Sequence, residues 1–176
     1  MPNWVENQIR ITGPDADVQE FVRKAKQPYL IHNFRWMVDD GKISHLQESR
    51  LRESALSYWN FVCPKEGEPY SDYFNEDQKL IQPWYDWNIL HWGTKWDAAE
   101  VNVFVTSVDV VYRFLSPWNP PEQAFAAMVE QHPSLTFEIE CDEEQGWGVA
   151  YLGEHGELNV TNEWENSEEK EQLRQS

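Results

Sequence analysis

Residues 120–141 read Pro-Pro-Glu-Gln-Ala-Phe-Ala-Ala-Met-Val-Glu-Gln-His-Pro-Ser-Leu-Thr-Phe-Glu-Ile-Glu-Cys, and the apolar period changes partway along. Ala124, Phe125, Met128 and Val129 recur at helical spacing, so a helix is expected from the Pro120-Pro121 pair to His132-Pro133. Asn119 stands where a capping side chain would serve that helix. From Leu135 the period becomes two. Leu135, Phe137, Ile139 and Cys141 then point inward, and Thr136, Glu138 and Glu140 point outward, as in a half-buried strand.

Downstream, residues 142–146 form an acidic turn and Trp147–Gly153 reads as the antiparallel return strand. Leu158–Thr161 is a further short strand, and 162–176 is a polar, acidic tail expected to be a frayed helix or disordered. Upstream, the runs Glu100–Ser107 and Asp109–Leu115 are too close together to be anything but a hairpin or a bent strand pair. Ser116–Pro121 is a rigid loop, and a short helix over 84–92 closes on Gly93. At the start of the chain, Val5, Ile9 and Ile11 alternate along residues 3–12. Gly13-Pro14-Asp15 follows, and then Val18, Phe21, Val22 and Ala25 mark a helix that Pro28 stops.

Residues 28–83 are less regular and read as an insertion. A helix from Ser44 to Tyr58, with Leu46, Leu51 and Leu56 as its apolar points, is expected there. It is followed by a buried crossing segment or short strand at 59–64. Without the insertion and the last strand, the order is βαββαβ. The expected fold is therefore α+β, a ferredoxin-like sandwich with an antiparallel sheet and helices on one face. It forms one domain over 1–161, carrying the insertion at 28–83 and an extra C-terminal strand.

The chain has 176 residues, 14 Lys plus Arg against 31 Asp plus Glu, a net charge of −17 and ten tryptophans. A chain this acidic repels phosphate, which argues against direct nucleic-acid or anionic-lipid binding. No apolar run approaches the roughly 18 residues of a membrane span. Met1–Glu6 carries neither the cationic nor the apolar region of a signal peptide, so a cytoplasmic protein is expected. Cys63 and Cys141 are accordingly expected to be reduced core thiols. Residues 117–176 hold 14 acidic and two basic residues, a net of −12, while eight of the tryptophans precede residue 120. Acid and indole are thus largely separate features.

The opening Met1-Pro2-Asn3-Trp4, Asn7 and Thr12-Gly13 form one group of motifs. Asn88, Trp92-Gly93-Thr94-Lys95-Trp96-Asp97, the Ser116–Pro121 loop and Gly146-Trp147 complete the set. In these the chain resembles the YubB-type ferredoxin-like family of small proteins carried by bacteriophages and plasmids. The resemblance touches both ends and the centre and leaves 28–83 unmatched. In the proline loop Asn119 stands where the family more often has serine. The resemblance implies a fold and a genomic setting, in a bacterial host cell, and assigns no activity or site residue.

His91, Trp92, Lys95, Trp96 and Asp97 would form a ligand recess if the two indoles flanked the polar groups. The competing reading is a tight turn whose indoles pack, with Lys95 stacked on one of them. His32, His45, His91, His132 and His155 are isolated and no CxxC is present, so no metal is expected. Cys141 is apolar filler on a strand, and Cys63 has no base beside it. Phosphate-loop, dinucleotide and serine-hydrolase motifs are absent, so no cofactor and no catalytic residue is assigned. Glu138, Glu140, Asp142, Glu143, Glu144, Glu154 and Glu157 fall on adjacent strands and form the expected partner-binding surface. Rows of carboxylates spaced like phosphates would occupy the basic groove of a nucleic-acid-binding host protein, as a DNA mimic or anti-defence inhibitor does. Plain solubility is the competing explanation. The expected role is therefore a non-enzymatic accessory protein of a mobile element. A small-molecule binder or enzyme using Trp92–Asp97, and a structural homo-oligomer, are the alternatives.

Overall fold

The computed structural model describes residues 2–39, 42–65, 68, 70, 73–74, 80–81 and 83–176. The elements run in the order β1 (Trp4–Thr12), α1 (Asp15–Ala25), β2 (Tyr29–Asp39), β3 (Lys42–Arg52), β4 (Tyr73–Phe74), β5 (Leu80–Ile81), α2 (Pro83–Trp92), β6 (Ala99–Val105), β7 (Val110–Pro117), α3 (Glu122–Gln131), β8 (Thr136–Glu143), β9 (Gly148–Glu154), β10 (Glu157–Trp164) and α4 (Ser167–Gln175), with a 3-10 turn at Tyr58–Asn60. The class is α+β. Among the described residues, one six-stranded antiparallel sheet has the order β10-β9-β8-β1-β7-β6, and β2-β3 and β4-β5 form separate two-stranded pairs. None of the described helices is long and apolar enough to cross a membrane.

Alternation decides which face is buried. Val5, Asn7, Ile9 and Ile11 of β1 are buried, as are Tyr112 and Phe114 of β7 and Phe137, Ile139 and Cys141 of β8. Helices α1 and α3 lie on this face. Phe21 of α1 meets Phe137, Tyr112 and Phe61 with ring centroids 5.5, 5.9 and 5.2 Å apart. Phe125 of α3 meets Phe114 and Tyr151 at 6.3 and 6.0 Å. All four apolar residues expected on α3 are buried, and Leu135 completes the β8 series. Asn7 is a buried polar residue of the inner face. Its Nδ2 donates to Ser116 Oγ at 2.9 Å and to the Val5 carbonyl at 3.2 Å, which offsets the cost of burying an amide.

Several expectations are corrected. The helix expected over Ser44–Tyr58 is β3, paired with β2 from Tyr29↔Arg52 to Asp39↔Lys42. The physical cause is visible in the sequence. Tyr29–Val38 is rich in β-branched and aromatic residues, and Asp40-Gly41 is a strong hairpin signal that outweighs a few leucines at loose helical spacing. The segment at 59–64 is no strand: a 3-10 turn at Tyr58–Asn60 opens it, and Tyr58 and Phe61 enter the core, as a buried crossing segment would place them.

Ser116 and Pro117 belong to β7, where Pro117 opposes Trp4 and the Trp118 N–H donates to the Asn3 carbonyl at 2.8 Å. Asn119 caps nothing by its side chain. Pro121 is the cap of α3, with no side-chain hydrogen bond, and the Asn119 carbonyl accepts from Ser116 Oγ at 2.7 Å. The last strand is longer than expected. The tail beyond it is helix α4, capped by Asn166 Oδ1 accepting from Glu169 N–H at 2.9 Å. Cys63 lies at the surface and Cys141 in the core, and both are free.

Candidate functional site

The Trp92–Asp97 segment is a turn built for packing. Gly93 sits at φ +90°, and a Cβ there would come within 3.1 Å of the Glu122 backbone nitrogen, so glycine lets α2 end directly against the start of α3. Asn88 Nδ2 donates to the Lys95 carbonyl at 2.7 Å, and Thr94 Oγ1 donates to the Trp96 carbonyl at 2.6 Å. Trp92 is 2% exposed. Its Nε1 donates to the Val62 carbonyl at 2.9 Å, and its ring meets Tyr58 and Trp87 edge-on.

His91 stacks on Trp87 at 4.2 Å and donates from Nδ1 to the Trp87 carbonyl. Lys95 rests over the Trp96 ring at 4.2 Å, and Trp96, 39% exposed, leans on Trp4 at 6.0 Å.

Asp97 is buried. Its Oδ1 accepts from the Tyr58 and Ala98 N–H groups at 2.7 and 2.8 Å, and its Oδ2 accepts from the Tyr29 hydroxyl at 3.0 Å and from Ser57 Oγ. Burial pushes its carboxyl above the ordinary value, against the pull of these four donors. The five recess residues thus disperse. Trp92 and Asp97 face inward, His91 is held along α2, and Lys95 and Trp96 share a small exposed stack.

The acidic set also divides. Glu138 lies on the open sheet face, 3.6 Å from Arg10. Glu140 and Asp142 are gripped by Lys170 of α4 at 2.5 and 2.6 Å, and Arg174 adds a contact to Glu140 at 3.0 Å. Burial raises the Glu140 carboxyl, but the two cations outweigh it and hold the group below its usual value.

Glu143, expected on the surface, is 4% exposed. It faces the helix side, where Oε2 accepts from Gln145 N–H at 2.6 Å and Oε1 has no partner. Glu144 accepts from the Trp4 N–H at 3.1 Å. Glu154 and Glu157 are exposed and oppose each other across the β9–β10 turn.

The register brings together residues far apart in the chain. Trp4 opposes Pro117, Val5 opposes Glu143, Ala99 opposes Leu115 and Gly148 opposes Trp164. Trp4, Trp96, Trp118, Trp147 and Trp164 therefore gather at one end of the sheet. Trp118 is 49% exposed at φ 67°, a left-handed conformation that a bulky residue adopts only under constraint.

A cleft of about 580 Å³ opens at this end, between the start of α3 and strands β9 and β10. Trp147, Tyr151 and Trp164 line it, with Val149 and Val160, and Glu122, Glu163 and Glu165 supply its carboxylates. The Tyr151 hydroxyl donates to Glu122 at 3.4 Å, and burial together with that carboxylate pushes the phenol far above its ordinary value. The sequence carried one signal for this site, the two late tryptophans set within the most acidic part of the chain. Only the strand pairing shows that Trp164 lies opposite the β9 residue next to Trp147.

No family model matches the chain, and no curated protein matches it. A solved structure does: the crystal structure of a protein api92 from Yersinia pseudotuberculosis, described with the family-model DUF1281. It is 8% identical with a TM-score of 0.67, and the match covers 93% of this chain and 98% of that one. The likeness shows a shared fold over nearly the whole chain and carries no activity.

Proposed function

We propose that this is a non-enzymatic accessory protein of a bacterial mobile element that binds a cationic protein partner, a nucleic-acid-binding host protein, as a DNA mimic. The observation that carries this reading is the fate of the C-terminal cations. Residues 117–176 contain two basic residues, Lys170 and Arg174, and both are turned onto Glu140 and Asp142. Glu154 and Glu157 at the β9–β10 turn and Glu168 of α4 are exposed, with no ion pair among the described residues. That field steers a cationic partner and repels phosphate. Glu138 belongs to the same surface. Glu140 and Asp142 anchor α4, and Glu143 and Glu144 brace the sheet end.

The resemblance to the YubB-type family supports the genomic setting. The order β8-β1-β7-β6, with α1 and α3 on one face, supports a ferredoxin-like core extended by β9 and β10. A homo-oligomer is the second reading. It is favoured by edge strand β6 and its turn, where Phe104, Val105 and Val108 are exposed. A ligand site at Trp92–Asp97 has less support, because Trp92 is buried and both Asp97 oxygens are taken by protein donors.

The test is capture from a bacterial lysate at low salt, followed by a rising salt wash. The expected result is a nucleic-acid-binding protein that duplex DNA displaces and that salt elutes. Recovery that ignores both salt and DNA refutes mimicry. Light scattering on the purified chain separates the oligomer reading.

A further inference from the structure

The cleft at the tryptophan-rich end of the sheet has its own chemistry, and it lies at the opposite end of the β9–β10 hairpin from Glu154 and Glu157. Three carboxylates and neither lysine nor arginine line it, so phosphate, nucleotides and carboxylate ligands are disfavoured there. Its remaining walls are aromatic and aliphatic. A compact hydrated metal ion gains little from such surfaces, whereas a weakly hydrated, delocalised cation gains both ring contact and charge.

Two further observations narrow the ligand. Glu122 stands beside the Tyr151 ring, joined to its hydroxyl, so a planar cation stacked on the ring meets the carboxylate at its edge. Trp164, 5% exposed, contributes a wall, and its ring already takes a cation, with Lys170 Nζ 5.0 Å from its centroid. At about 580 Å³ the cleft has room for a long side chain with its flanking backbone.

We infer that this cleft is a binding site for the guanidinium of an arginine side chain presented on a peptide, with Trp147, Tyr151 and Trp164 as its aromatic walls and Glu122, Glu163 and Glu165 as its carboxylates. Small, rigid aromatic walls backed by acids recognise an arginine without any phosphate-like mimicry, so the site stands whether or not the acidic surface binds a partner. Val160, exposed on β10, stands on the solvent side of the cleft.

The test is an NMR titration of the intact, isotope-labelled chain with N-acetyl-arginine amide, reading the indole N–H signals of Trp147 and Trp164. Saturable shifts are expected, with about tenfold weaker binding of the uncharged isostere N-acetyl-citrulline amide, or roughly 1.4 kcal/mol. The conservative E122Q/E163Q variant should weaken arginine binding by a similar factor. V160W, which fills the mouth, should abolish it while the rest of the spectrum stays folded. E154Q/E157Q should leave it unchanged, which separates this site from the partner surface. Equal binding of citrulline, an unchanged E122Q/E163Q variant, or no shift at millimolar arginine overturns the assignment.

Discussion

The Asp97 carboxylate is bonded to the backbone of Tyr58, Oδ1 to N–H at 2.7 Å, across 39 residues of sequence. This contact fixes the segment Leu56–Phe61 to the start of β6 and places the Tyr58 ring under Trp92. With Tyr29 and Ser57 on Oδ2, one acid ties three parts of the chain together. Asp97→Asn keeps the shape but offers one acceptor oxygen to four donors. Denaturant unfolding should show a loss of about 2–3 kcal/mol, and Ser57→Ala a smaller loss of about 1 kcal/mol. If Asp97→Asn unfolds at the parental midpoint, the clasp carries no stability.

His132 makes stability depend on pH. Its ring sits edge-on to Phe21 and Phe61, and its Nδ1 donates to the Met128 carbonyl. Burial lowers its pKa below 6.5, and Lys24 adds to this, while Glu20, Asp17 and the Met128 bond oppose it. Because the unfolded chain takes up this proton first, the histidine's contribution is present above about pH 6.5 and is lost as pH falls below it. In His132→Phe, that part of the pH dependence between neutral and mildly acid solution should flatten. A parallel pH profile for the two proteins would assign the effect to other groups.

Gly93 is constrained twice, by φ +90° and by the start of α3. Gly93→Ala should lower stability by about 2 kcal/mol, because both the backbone and the α2–α3 contact must give. Gly156, also at positive φ but with no neighbour nearer than 3.6 Å, provides the control. Gly156→Ala should cost less. Equal losses would mean that the close approach at Gly93 is relaxed without cost.

Lys170 and Arg174 hold α4 against the sheet and mask Glu140 and Asp142. In K170Q/R174Q the helix should loosen, seen as faster proteolysis after residue 166. The freed carboxylates should also strengthen low-salt association with a cationic partner. Unchanged association would mean that the field of this surface does not set affinity.

The outcome for each element follows from where its determinants lie. β8 and α3 were legible because one face of each is fully buried, so alternation at Leu135–Cys141 and the spacing Ala124–Val129 report packing directly. The β2–β3 hairpin was not, because leucines at loose helical spacing masked a turn dipeptide. The tail reads as polar in isolation. Its helix is anchored by ion pairs to strand residues some thirty positions earlier, a relation no local period can show. The recess failed for the same reason. Neighbours in sequence from His91 to Asp97 alternate between the interior and the surface once Val62, Tyr58 and Trp4 come to meet them. The aromatic and acidic features, separate in sequence, converge only where β9 and β10 pair.

In the proposed function, the exposed C-terminal acid is a surface for a DNA-binding partner. The most direct measurement is the salt-graded lysate capture repeated with E138K/E154K/E157K beside the parent chain. The parent should recover a nucleic-acid-binding protein that duplex DNA competes away, and the charge-reversed chain, folded as judged by its thermal transition, should recover none. Equal recovery by both chains, or recovery that DNA does not disturb, would contradict it.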